Sequence, residues 1–154
     1  MHTLLNYYRH SMRLDGFLEH WGGALLGLSL RIYLGWVFFK AGLTKIADWE
    51  TTVSLFENEY QVPVLSPALA AALGTTGELV LPLFLWLGFL ARPAAAGLFF
   101  VNLIAVISYS ALFTFDCPAA INDHRYWGIL LLVLVAFGPG RFSIDAMVVN
   151  RPRP

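Results

Sequence analysis

Arg31, Gly35, Phe38, Gly42 and Lys45 follow one another at spacings of 4, 3, 4 and 3, so a helix carries all five on one face. That face sets an arginine inside a long apolar run. An ionisable side chain at such depth is costly in hydrocarbon and normally faces a bundle interior or a wet cavity. Two further charged residues lie at comparable depth, Lys40 in the same run and Glu78 in the next. Lys40 is half a helical turn around from Arg31, so one of the two bases is expected to pair with Glu78 while the other snorkels or meets another helix. Side-chain tilt toward the helix N-terminus favours Lys40, and the polar face favours Arg31. In such a pair the cation stabilises negative charge on a ligand oxygen and the carboxylate exchanges protons. Glu78, Arg31 and Lys40 are therefore the catalytic candidates. Pro82, four residues after Glu78, cannot donate to the Glu78 carbonyl and leaves it as an extra acceptor. A structural reading, in which Glu78 neutralises a base and holds two helices in register, stands beside the catalytic one.

Asn102, Tyr109 and Asp116 recur every seven residues, a stripe that lines the same cavity or hydrogen-bonds between helices. The segment after it gathers Asp116, Cys117, Asp123, His124 and Arg125. Asp116, Cys117 and His124 are weak metal candidates: carboxylate, thiol and imidazole suit several metals, and their spacing matches no recognised ligand set. Interfacial anchoring and contact with an organic ligand or a partner are the other readings. The chain's one cysteine leaves no dithiol pair to carry electrons. His2, His10, His20 and His124 all fall outside the deep part of any span, where haem held in a bundle needs its axial ligands. No glycine-rich nucleotide fingerprint or phosphate loop is present.

The elements that must position these residues are membrane helices. At 58% hydrophobic and 13% charged residues, the chain lies far from the soluble mix. Ten basic residues balance ten acidic ones, which gives no footprint for nucleic acid. Apolar stretches at about 23–46, 67–90, 93–115 and 122–137 compare with the roughly 20 residues a helix needs to cross. The fourth is short, so either the bilayer thins around it or the loop from Asp116 to Asp123 descends into the protein, where irregular backbone must line a cavity. Arg9, Arg13, Arg92, Arg141, Arg151 and Arg153 fall on one side, and Asp48, Glu50, Glu57, Glu59, Asp116 and Asp123 on the other. By the positive-inside rule both termini are cytoplasmic. Residues 1–21 lack a signal-peptide pattern. Leu4, Leu5, Tyr8 and Met12 make them an interfacial amphipathic segment or a frayed tail. In the loop between the first two spans, Trp49, Val53, Phe56 and Tyr60 form an apolar stripe that lies on the interface or caps the bundle. Small-residue pairs, Gly23 with Gly27 and Ala91 with Ala95, suit close helix packing or a homodimer.

Taken in order, the face from Arg31 to Lys45, Asp48-Trp49, Gly77-Glu78, the hinge from Leu87-Gly88 to Arg92, His124-Arg125-Tyr126-Trp127 and Gly138-Pro139-Gly140-Arg141 resemble the DoxX family of small bacterial membrane proteins. The resemblance implies an all-α, integral membrane four-helix bundle over residues 22–141, with residues 142–154 as a cytoplasmic tail, in the bacterial inner membrane. It also implies a link to quinone-coupled oxidoreductase systems, thiosulfate:quinone oxidoreductase subunits among them. On that reading a quinone is the candidate cofactor, held in the outer half of the bundle by Arg31, Lys45, Trp49, Glu78, Asn102, Tyr109, His124 and Trp127. The chain shows no redox centre of its own, so a protein partner or homo-oligomer is expected. The stretch from His124 to Asp145 further resembles family members encoded with copper-responsive, modified-peptide systems. A non-catalytic membrane partner or exporter for such a system is thus one alternative, and a proton-coupled small-solute transporter is another.

Overall fold

A computed structural model of the protein describes residues 16, 18–113 and 119–149. The expected amphipathic segment around Leu4, Leu5, Tyr8 and Met12, together with Asp116 and Cys117, lies outside them. A π-helical turn at Leu18–Gly22 leads into α1 (Gly23–Ala47), which is followed by the short α2 (Trp49–Asn58). Then come α3 (Pro67–Leu87), α4 (Ala91–Ser108), a 3-10 turn at Ser110–Phe113, α5 (Ala119–Phe137) and the short α6 (Ile144–Val149). Helices α1, α3, α4 and α5 are each long and apolar enough to cross a membrane. The protein is an all-α, four-helix membrane bundle.

Local chemistry sets the helix ends. Pro67 occupies the first turn of α3, where its missing N–H would be unsatisfied in any case. Gly88 closes α3 in the left-handed conformation, with φ of 63°. Asp48 caps α2 by accepting from the Thr51 backbone N–H at 3.0 Å. That bond holds the Asp48 carboxyl below its ordinary range.

Between lipid tails and apolar side chains there is little hydrophobic driving force, so the helices associate through close packing. Gly35 and Gly42 make this possible for α1 and α3. A Cβ on Gly42 would lie 2.8 Å from Leu79 Cγ and 3.2 Å from Glu78 Cβ, and one on Gly35 would overlap the Trp86 indole. The space those glycines leave is filled by the partner helix. Trp86 Nε1 donates to the Ile32 carbonyl at 3.2 Å, which fixes the indole across the α1 backbone. The shared core contains Leu34, Phe38, Leu85, Leu98 and Leu131, while Ile32, Trp36, Leu83, Phe100, Ile107 and Leu132 point outward from four different helices. An exterior so apolar is covered by the bilayer.

Two expectations about the spans need correction. The fourth helix begins at Ala119 rather than Asn122, because Ala119, Ala120 and Ile121 continue it. Its 19 residues reach about 28 Å, which removes the need for irregular backbone between 119 and 123. The third helix stops at Ser108 instead of continuing to Phe115. The Gln61 N–H bonds the Ser108 carbonyl at 3.0 Å, and Tyr109 forms a bridge with Tyr60. The connection after α2 has recruited the backbone that a longer helix would have used.

Candidate functional site

The charged residues of the bundle are divided between its two ends. Fourteen residues separate Arg31 from Lys45 on α1, about 21 Å of helix, and each closes a different structure.

Arg31 is fully buried, and carbonyl oxygens surround it. Its Nε donates to Gly27 at 3.3 Å, and Nη1 donates to Leu85 at 3.4 Å and Trp86 at 3.3 Å. Nη2 donates to the Phe142 carbonyl. The carbonyls of the last turn of α3 lack the partner four residues on; Leu85 accepts from the Gly88 N–H at 3.1 Å, and the planar fork of the guanidinium serves Leu85 and Trp86 together with the C-terminal segment. Asp145 completes the arrangement from the other side. Its carboxylate accepts from the Leu90 and Ala91 N–H groups at 2.9 Å each, and its own N–H donates to the Gly88 carbonyl at 2.9 Å. Four segments are thus fastened at this end.

Glu78 therefore pairs with neither Arg31 nor Lys40. Lys45 Nζ lies 2.6 Å and 2.5 Å from its two carboxylate oxygens. The reason is register: Gly42 packs against Leu79 and Glu78, so the residue one turn beyond Gly42 reaches the carboxylate. Lys40 lies on an exposed face of α1.

Beside the Lys45–Glu78 pair is a cavity of about 230 Å³, bounded by α2, α3, α4 and the segment after α2. Phe56, Tyr60, Leu73, Phe100, Val101 and Ile104 form its apolar walls. Lys45, Glu78, Tyr60 and Ser108 are the polar residues of the lining. Of the apolar stripe expected after α1, Phe56 and Tyr60 wall this cavity: α2 buries Thr52 and Phe56, and Phe56 packs on Ala70 and Ala71 of α3. Phe56, Tyr60 and Tyr109 form a continuous stack, with ring centroids 4.7 Å and 4.8 Å apart. Burial, reinforced by the Tyr109, Glu78 and Glu59 charges, raises the Tyr60 pKa. Tyr109 is raised by desolvation, then by its hydrogen bond to Glu59 and that carboxylate's charge. Both phenols are therefore hydrogen-bond donors at neutral pH.

Three other candidates form a separate polar cluster. Asn102 Nδ2 donates to the His124 carbonyl at 2.9 Å, which turns its Oδ1 toward His124 Nδ1, 2.8 Å away. With Oδ1 as the acceptor, Nδ1 is the donor in this contact. The His124 ring meets Trp127 edge-on at 4.9 Å, and Trp127 Nε1 donates to the Tyr33 hydroxyl at 3.3 Å. These contacts join α5 to α4 and α1. Trp49 is exposed at the start of α2. Among the described residues no group of three His, Cys, Asp or Glu side chains could hold a metal.

Of the residues expected to form one site, the structure brings together Lys45 and Glu78, with Tyr109 reaching the cavity edge through Tyr60. Sequence reasoning missed Ser108 and the walls from Leu73 and Phe100. These residues are ordinary members of apolar helices, and only the early end of α4 turns Ser108 into part of a cavity.

A family model for DoxX matches residues 26–111. The chain belongs to the DoxX family. No curated protein and no solved structure matches it. The DoxX match includes the Lys45–Glu78 pair, every residue of the cavity lining and Arg31, whereas His124, Trp127 and Asp145 lie beyond it.

Proposed function

We propose that this DoxX-family protein is a membrane subunit of a quinone-linked oxidoreductase system, and that the cavity beside Lys45 and Glu78 holds the quinone ring. The observation that carries this reading is an apolar cavity with an ion pair in its lining. A pocket of roughly 150 Å³ accepts benzene, so about 230 Å³ fits a substituted six-membered ring. Leu73, Phe100 and Ile104 both line the cavity and stand among the outward-facing apolar residues. A ligand dissolved in the bilayer thus reaches the cavity sideways, without crossing water.

A bound quinone would supply two-electron, two-proton redox chemistry. Lys45 takes the role that spacing alone offered to Arg31 or Lys40, as the donor that stabilises negative charge on a ring oxygen. Glu78, hydrogen-bonded to Lys45, is the group placed to accept or return a proton. Phe56 and Tyr60 supply flat surfaces for the ring. Electrons come from a partner protein.

The test is retention of native lipid cofactor. Wild-type protein purified in mild detergent is expected to yield quinone on lipid extraction and mass spectrometry, and folded Lys45→Met/Glu78→Leu protein is expected to yield little. Equal recovery from both proteins, or none from wild type, would reject the reading.

The same reading places the cavity toward the outer face. Arg92 and Arg141 mark one end of the bundle, and Glu50, Glu57, Glu59 and Asp123 mark the other, so the positive-inside rule puts the Arg31 end in the cytoplasm. A reporter fused to the C-terminus should be active only inside. Activity confined to the outer side would invert the orientation.

A further inference from the structure

At the Arg31 end of the bundle, α1 and α5 leave a groove of about 610 Å³ between them, within the size range of small-molecule sites. Leu26 and Leu30 of α1 and Val133 and Phe137 of α5 form its walls. Beside it the segment Gly138-Pro139-Gly140 lies directly against the α1 backbone: a Cβ on Gly27 would stand 3.3 Å from the Pro139 carbonyl oxygen, and one on Gly140 would stand 3.5 Å from Ala24 Cα. One helical turn before Gly27 the packing opens, since a Cβ on Gly23, also in the lining, would meet nothing within 4 Å. Leu26 is 59% exposed and Phe137 is 82% exposed, so on these membrane-spanning helices the groove opens to lipid.

A cation marks the end of this groove. Arg141 belongs to its lining and is exposed, and its guanidinium carbon lies 5.5 Å from the centre of the Trp21 ring. Trp21 comes just before α1 and Arg141 shortly after α5, which puts both at headgroup depth, where indole rings and arginine side chains settle. The contact with Trp21 holds the cation by electrostatic attraction to the ring, and its N–H groups have no acceptor among the described residues. The ion pair among those residues, Lys45 with Glu78, is at the other end of the bundle. The carboxylate nearer to hand, Asp145, is held by the Leu90 and Ala91 N–H groups. An exposed guanidinium at the end of an apolar groove matches a phosphodiester carried on acyl chains. A choline headgroup brings its own cation beside the phosphate and competes with the arginine, whereas a glycerol headgroup leaves the negative charge for it.

We propose that this groove binds an anionic phospholipid, with the phosphodiester on Arg141 and an acyl chain lying between α1 and α5. Basic pockets between membrane helices recognise anionic headgroups in this manner. The bound lipid joins the two helices where their own side chains leave a gap, and its occupancy stabilises the bundle by mass action. The groove shares no lining residue with the cavity beside Lys45 and Glu78, so the proposal does not depend on what that cavity holds.

The experiment uses the delipidated full chain in neutral detergent and two probes with the same oleoyl chains, phosphatidylglycerol and phosphatidylcholine, with bound lipid counted by native mass spectrometry. Wild type is expected to prefer phosphatidylglycerol by about fivefold, the worth of one basic residue beside an anionic headgroup. Arg141→Gln should bind the two probes alike. Arg92→Gln removes the same charge from the same end of the bundle but outside the groove lining, and it should keep the preference. Gly23→Leu places a side chain where a Cβ meets no atom and should weaken binding of both probes. Equal wild-type affinity for the two probes would overturn the proposal without any variant. Equal loss of preference in Arg141→Gln and Arg92→Gln would also overturn it, by tracing the preference to the general charge of this end. Undiminished binding to folded Gly23→Leu protein would place the lipid elsewhere and overturn it as well. If Gly23→Leu does not fold, the two arginine variants still decide. Quinone retention enters none of these readouts, so the proposal and the reading of the cavity stand or fall separately.

Discussion

Replacing Lys45 with methionine is expected to destabilise the bundle by about 2 to 3 kcal/mol, and adding Glu78→Leu should restore most of that loss. Removing one partner of a buried pair typically costs about 3 to 5 kcal/mol, because the remaining charge is left uncompensated, whereas replacing both by apolar residues of similar volume is often neutral. The lower figure applies because the Lys45 side chain is 23% exposed and keeps part of its hydration, against 10% for Glu78. Glu78→Gln should cost less than Glu78→Leu as a single change, since the amide retains a hydrogen-bonding partner for Lys45. Reversible unfolding in mixed micelles of wild type, both single variants and the double variant would measure the coupling. Strictly additive losses would show that the two residues stabilise the bundle independently. The double variant also separates stability from ligand retention, since it keeps the fold while removing both charged groups from the cavity.

Much of this architecture is legible in the sequence. The period of Arg31, Gly35, Phe38 and Gly42 correctly identifies a buried face of α1, because the cost of exposing an arginine to lipid leaves few other arrangements. The start of α3 at Pro67 is legible for a similarly local reason, whereas its end at Leu87 comes before the expected residue 90 because Gly88 takes the left-handed conformation. Partner choice was not legible. Choosing among Arg31, Lys40 and Lys45 for Glu78 requires the register of two antiparallel helices, and that register is set by Gly42 seated against Leu79 and Gly35 against Trp86. Spacing along one chain carries no information about such a contact. The cavity was hidden for a related reason: it exists because α4 stops at Ser108 and the segment from Tyr60 to Leu65 folds across the gap. The seven-residue recurrence of Asn102 and Tyr109 suggested one polar stripe. In the structure Asn102 serves His124, while Tyr109 lies past the helix end and stacks on Tyr60.

The separation of the two charged centres also changes what Arg31 substitutions test. With Arg31 about 21 Å of helix from Lys45, its loss should weaken the bundle and leave ligand retention in the remaining folded protein unchanged. Arg31→Lys is expected to recover only part of the lost stability, because an ammonium cannot serve Gly27, Leu85, Trp86 and Phe142 in the planar fork now observed. Loss of cofactor from folded Arg31→Lys protein would reconnect the two ends.

Gly88→Ala should be the most damaging single-methyl change in the chain, costing about 4 kcal/mol. Gly88 has φ of 63°, and a Cβ there would overlap Arg31 Nη1 and Ser143 Cβ and lie 2.9 Å from Ser143 Cα. Left-handed backbone alone costs a non-glycine residue about 1 to 2 kcal/mol. The remainder comes from displacing the guanidinium from the carbonyls at the end of α3 and pushing the segment of Ser143 and Asp145 off Gly88, Leu90 and Ala91. Gly140→Ala isolates the first contribution. Its φ is 77°, but the nearest atom to an added Cβ, Ala24 Cα, is 3.5 Å away, an ordinary contact. Unfolding both variants in the same micelles should give a loss of about 1 to 2 kcal/mol for Gly140→Ala and at least twice that for Gly88→Ala. Equal losses would mean that the Arg31 and Ser143 side chains yield to the added methyl, and that backbone conformation alone fixes glycine at position 88.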